Sequence, residues 1–119
     1  MLFWCHFLPG ACHHVHQKAS KFIAVHVFGI LEDAVLDAIA CHTTLKPEPS
    51  DIDKVVFIAD KLSWQDDAQR ELVGLLRLKS RVSLDSAILH FLSDFHQKRT
   101  QLTQYHPLTK AAHAYFSSL

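Results

Sequence analysis

Glycine and proline are scarce in this chain, 3 and 4 among 119 residues. A turn-rich β domain needs more of both, so their shortage argues for a helical protein. Strand-like alternation is absent, as are internal repeats and low-complexity tracts. No apolar run is long enough to span a bilayer. Charge of one sign is lacking too: 12 basic and 12 acidic residues cancel. That argues against a general nucleic-acid or membrane-surface binder, which needs a basic field. It leaves room for one bound nucleotide in a locally charged pocket. Three cysteines, Cys5, Cys12 and Cys41, give no even disulfide framework and read as reduced thiols of a cytoplasmic protein. The apolar opening from Met1 to Cys12 has no basic leader, is too short for a lipoprotein signal, and places Pro9 badly for cleavage.

What is present is material for one core. Hydrophobic residues make up 49% of the chain, which is long enough for a single domain, 1–119, and too short for two. Residues 1–13 show no clear period. An opening in Leu2-Phe3-Trp4 looks like the inside of a domain, so helices that belong before it are expected to be missing. Beyond it, apolar spacing predicts an all-α, compact bundle of five to six helices. The first runs from about His14 to Val27, with His16, Ser20, Ile23 and Val27 on one stripe and Gly29 as a left-handed cap. The second runs from about Leu31 to His42, with Leu31, Val35, Ala38, Ile39 and His42 on its inner face. Ser50 and Asp53 form a capping box at the start of the third. Its stripe is Ile52, Val55, Val56, Ala59 and Leu62, with Asp60 beside it on the side of Asp53 and Phe57. A fourth helix, about Asp66 to Lys79, buries Leu72, Leu75 and Leu76. A fifth, after Ser83, presents Leu84, Ala87, Ile88, Phe91, Leu92 and Phe95. A short sixth starts at Pro107 and carries Leu108, Ala112, Tyr115 and Phe116.

Polar residues at or beside these apolar faces are the chemical signal. His16, His42 and Asp60 occupy such places, and a carboxylate there must be paired, hydrogen-bonded or cation-bound. Together they can hold a divalent metal, activate a water and neutralise phosphate oxygens, as phosphoanhydride hydrolysis requires. Taken alone, each is more simply a hydrogen-bonded core residue. Thr43 and Thr44 can bind phosphate or cap a helix. Lys61 reads as a snorkelling surface residue, the alternative being a phosphate partner. Trp64 reads as core filling rather than a base-stacking residue. His106, before Pro107, meets a ligand or belongs to a plain loop. Among ten histidines, a second cluster of Cys5, His6, Cys12, His13, His14 and His16 has a zinc-like ligand set whose spacing matches no common zinc module.

Read in order, His16, Phe28-Gly29-Ile30, the segment Ala38 to Thr44 with its His42-Thr43-Thr44, Ile52-Asp53-Lys54, and the apolar run ending in Ala59-Asp60-Lys61 resemble the HD-domain phosphohydrolases of the YqeK type. Those enzymes split diadenosine tetraphosphate symmetrically into two ADP. The resemblance is good from His14 to Trp64 and weak as far as His106-Pro107. It implies an all-α HD-domain-like fold and a divalent metal, iron with manganese as the alternative. It also implies Asp60 as a metal ligand, His16 and His42 as phosphate-contacting pocket histidines, and Thr43 and His106 as substrate contacts. The family's first metal-binding histidine and its His-Asp pair lie upstream of the matched part. This chain contains no His-Asp dipeptide, and the arginine that follows the family's Ala-Asp-Lys is missing from Leu62 to Asp66.

The expectation is therefore a metal-dependent hydrolase of dinucleoside polyphosphates or related nucleotide phosphoanhydrides, with His16, His42 and Asp60 catalytic. The rivals are a truncated or degenerate non-catalytic helical module that binds nucleotide or pairs as a homodimer, and a zinc protein using the N-terminal cluster.

Overall fold

The computed structural model describes residues 12–98 and 105–119, with side chains from residue 16 onward. Among them there are six α-helices and no strand: α1 (Cys12–His26), α2 (Asp33–Ala40), α3 (Asp51–Leu62), α4 (Arg70–Ser80), α5 (Leu84–Gln97) and α6 (Pro107–Ser117). The irregularity expected of residues 1–13 lies outside the described residues as far as 11 and is wrong at Cys12 and His13, which open α1; the side chains of the Cys5, His6, Cys12, His13 and His14 cluster lie outside what is described.

Helix α5 is the centre. Its Ala87, Ile88, Phe91 and Leu92 are buried against Phe57 and Ile58 of α3, Leu76 of α4, and Ala112 and Phe116 of α6. Burying four such residues along one helix contributes several kcal/mol, at about 25 cal/mol per Å² of apolar surface removed from water. Ser83 starts α5 by accepting from the Ser86 N–H, and Pro107 opens α6, both as the sequence predicts. Helices α1 and α2 pack on each other, and α2 packs on α3, forming a second layer beside this core.

The connections set the geometry. Gly29 has φ +67° and closes α1, with the Ile30 N–H reaching back to the Ala24 carbonyl at 3.0 Å. The capping box at α3 is complete: Asp53 N–H donates to the Ser50 hydroxyl at 3.1 Å, and Ser50 N–H to the Asp53 carboxylate at 2.9 Å. After α2 the chain turns sharply. The Leu45 N–H bonds the Cys41 carbonyl at 2.7 Å, and Leu45 itself takes φ 61°. A left-handed leucine costs about 1–2 kcal/mol, and its complete burial offsets this.

Two helices bury a face other than the expected one. On α1 the buried residues are Gln17 and Ala24, while Ile23 is 39% and Val27 69% exposed. On α3 they are Asp53, Phe57, Ile58 and Lys61, while Ile52 and Val55 are 44% and 52% exposed. In both cases a polar residue with good partners takes the inward position, and the apolar pattern alone points elsewhere. The second helix is also shorter than expected. Leu31 is 80% exposed, and His42 lies in the turn after α2 rather than on its face. On α4, Val73 and Leu76 are buried while Leu75 is 40% exposed, and a 3₁₀ turn over Asp67–Gln69 precedes the helix.

Candidate functional site

The turn that follows α2 is held from both sides. From α3, the ammonium of Lys61 donates to the His42 carbonyl at 3.1 Å and to the Thr43 carbonyl at 3.4 Å. The same ammonium donates to the Asp60 carboxylate at 3.1 Å. It also lies 4.1 Å from the centre of the Phe57 ring, a cation–π contact. Lys61 is 1% exposed, so the expectation of a snorkelling surface lysine is wrong. A lysine is carried inside only where acceptors and a counter-charge replace its hydration, and here three oxygens and an aromatic face do so.

From α1, Gln17 does the corresponding work. Its amide donates to the Thr44 hydroxyl at 3.2 Å, and its carbonyl accepts from the Thr43 N–H at 3.3 Å. Sequence reasoning missed this buried glutamine. Its one signal is position, next to His16 in the turn of α1 expected to face inward.

These two clamps gather the expected residues. The rings of His16 and His42 meet edge to face with centroids 5.0 Å apart. The Asp60 side chain is 14% exposed and reaches His42 through the shared Lys61 ammonium. The His42 Nδ1–H donates to the Ile39 carbonyl at 2.6 Å, which fixes the orientation of the ring and leaves Nε2 without that partner. Burial holds the His16 pKa below its ordinary value. His42 pushes it the same way, and the negative charge of Asp60 pulls against both. The neutral form of the His16 ring is thus favoured relative to an exposed imidazole. The Thr43 hydroxyl is buried and has no partner among the described residues, an open hydrogen-bonding group at the same turn.

His106 sits elsewhere in the chain's layout. Its Nδ1 accepts from the Leu108 N–H at 3.1 Å and caps α6. Its neighbour Tyr105 stacks on Phe95 at 5.7 Å, and Phe95 in turn stacks on Phe91. Trp64 is core filling in part, with its ring 5.8 Å from Phe91.

A divalent metal needs several such donors converging on one point. Among the described residues, no three His, Cys, Asp or Glu side chains do so. Asp60 also already carries an ammonium at 3.1 Å. The described residues therefore do not by themselves fit a divalent ion. What they make is a polar cluster of two imidazoles, a carboxylate balanced by a lysine, and an unpaired hydroxyl.

Helices packed around a central α5, with no strand among the described residues, have the all-helical architecture of the HD-domain proteins. Among solved structures, the chain is similar to a predicted HD superfamily hydrolase involved in NAD metabolism from Clostridium acetobutylicum. The TM-score is 0.76 at 28% identity, covering 87% of this chain and 54% of that one. It is also 45% identical over 80 residues to an uncharacterized protein in the pepC 5′ region of Lactococcus lactis subsp. cremoris, 66% of this chain and 40% of that protein. No family model matches. The chain thus spans about half the length of the structure it resembles and less than half of the curated relative. No helix among the described residues is long and apolar enough to cross a membrane.

Proposed function

We propose that this chain supplies one wall of the active site of an HD-type phosphohydrolase, acting on nucleotide phosphoanhydrides and, more narrowly, on dinucleoside polyphosphates such as diadenosine tetraphosphate. The observation that carries the reading is the meeting of His16 and His42 at 5.0 Å beside the Asp60–Lys61 pair. Phosphate chains need donors and neutralising charge at fixed positions. Ring N–H groups of His16 and His42 and the Thr43 hydroxyl would donate to phosphate oxygens. Gln17 and Lys61 hold the turn that presents them. His106 is the outlying substrate contact. HD-type hydrolases generally work with a divalent metal, for which iron is the first candidate and manganese the second. Asp60 is the carboxylate that the resemblance assigns to it, but its Oδ2 faces the Lys61 ammonium at 3.1 Å, and the described residues supply no further ligands beside it. A cytoplasmic setting fits such a substrate.

The test is release of ADP from diadenosine tetraphosphate with added iron or manganese. It compares this chain, an N-terminally extended version and Asp60→Ala in each. The expected result is ADP from the extended version, falling by at least about 100-fold in its Asp60→Ala variant. Equal ADP release with and without the carboxylate would sink the reading.

A second reading has its own observation. Phe22, Val27, Phe28 and Leu31 are 63% to 80% exposed at the α1–α2 junction. An apolar cluster of that kind suits a non-catalytic helical module that pairs with a second copy. Sedimentation as a dimer, abolished by Phe28→Glu with no ADP release from any version, favours it.

A further inference from the structure

A cavity of about 300 Å³ opens on the other side of Trp64, between the end of α3 and the first turns of α4. Trp64, Asp66, Arg70, Val73, Gly74 and Arg77 line it. Arg70, Gly74 and Arg77 stand at i, i+4 and i+7, so they share one face of α4, with the glycine between the two arginines along the helix.

Gly74 is the informative residue. A glycine inside a helix costs about 1 kcal/mol relative to alanine. Usually a close neighbour or a positive φ demands it. Here neither does: a Cβ built at Gly74 meets nothing within 4 Å, and its φ is not positive. The space it leaves belongs to the cavity. The charges agree. Arg70 is tied to Asp67 at 2.6 Å, while Arg77 has no carboxylate partner among the described residues. Asp66 spends one carboxylate oxygen on the Ala68 N–H at 3.0 Å and keeps the other. The Trp64 ring packs edge to face on Phe91, with centroids 5.8 Å apart.

We propose that this cavity is a nucleotide subsite, taking a nucleoside phosphate with its base against Trp64, its phosphate on Arg77 and Arg70, and its sugar hydroxyls toward Asp66. An indole offers a stacking face, and guanidinium groups match phosphate oxygens. The subsite joins the site described above through Lys61, whose ammonium lies 5.7 Å from the Trp64 ring and 3.1 Å from the Asp60 carboxylate. The choice of a nucleotide as the ligand rests on the proposed function.

The experiment titrates ADP against Trp64 fluorescence in the full chain carrying Trp4→Phe, with adenosine and inorganic phosphate as separate probes. Histidine ring signals of His16 and His42 are followed by NMR in the same titration. ADP is expected to quench saturably. Arg77→Ala weakens that binding about tenfold. Adenosine and phosphate alone bind weaker still. Gly74→Leu abolishes the quench while melting no lower than the parent, because it fills empty space in a helix. Unchanged emission with ADP, or an equal quench in Gly74→Leu, overturns the subsite. So does adenosine binding as tightly as ADP, since the arginines then do nothing. The two proposals separate cleanly. Histidine signals that move while Trp64 stays silent sink the subsite and leave the proposed function standing. A quench that persists in Asp60→Ala with both histidine signals still supports the subsite and counts against the phosphate role of His16 and His42.

Discussion

The Lys61 ammonium donates to the backbone carbonyl of His42 at 3.1 Å, across 19 residues of chain. Through this bond α3 dictates where the His42 ring stands. Lys61→Met keeps the packing on Phe57 but strands the Asp60 carboxylate and two carbonyls. It should destabilise the chain by about 3–5 kcal/mol, as breaking a buried ion pair does. Asp60→Asn keeps an oxygen for the ammonium and should cost less, about 2 kcal/mol or under. Urea unfolding followed by helical circular dichroism compares the two. A Lys61→Met midpoint equal to that of the parent would show that the clamp is not needed.

His16 gives the fold a pH dependence of known sign. Its folded pKa is below the ordinary 6.5, chiefly from burial and then from His42. Between those two values the unfolded chain binds the proton and the folded chain does not, so stability rises with pH there. The contribution is fully present above 6.5 and is lost as pH falls from 6.5 through the folded value. Melting temperature should drop on acidification from about pH 7 to about pH 5, and His16→Gln should flatten part of that drop. An identical pH profile in His16→Gln would contradict the burial of the ring.

Cys41 should be chemically silent. It is 4% exposed, and its thiol is pushed up to about 11, mainly by burial and then by the Asp53 charge. The thiolate is the reactive form. With Cys5 and Cys12 changed to serine, alkylation near pH 8 should be slow in the native chain and fast in urea. Rapid native labelling would place the thiol at the surface instead.

Ser50 tests the start of α3. Ser50→Ala removes the acceptor for the Asp53 N–H and should cost about 1 kcal/mol. Asp53→Ala keeps the backbone N–H on the Ser50 hydroxyl but should cost more, because it frees the Ser50 N–H, leaves Lys46 without its partner at 3.5 Å and removes a side chain that is 1% exposed. Denaturant midpoints of both variants check the order, and a costlier Ser50→Ala would reverse the argument.

The amino-acid sequence determined what is local. The capping box at Ser50 and Asp53, the left-handed Gly29, the Pro107 start and the continuous apolar face of α5 each depend on neighbours within a turn or two. Each of the four is legible from its neighbours in the chain, and so is the all-helical class. Tertiary structure alone decided which way α1 and α3 turn. Their apolar stripes leave Ile23, Val27, Ile52 and Val55 outward, while Gln17, Asp53 and Lys61 go in. A polar side chain is buried at tolerable cost only if its partners are already there. Those of Gln17 and Lys61 lie 18 to 27 residues away, apart from the adjoining Asp60. Hydrophobic periodicity carries no record of partners so distant.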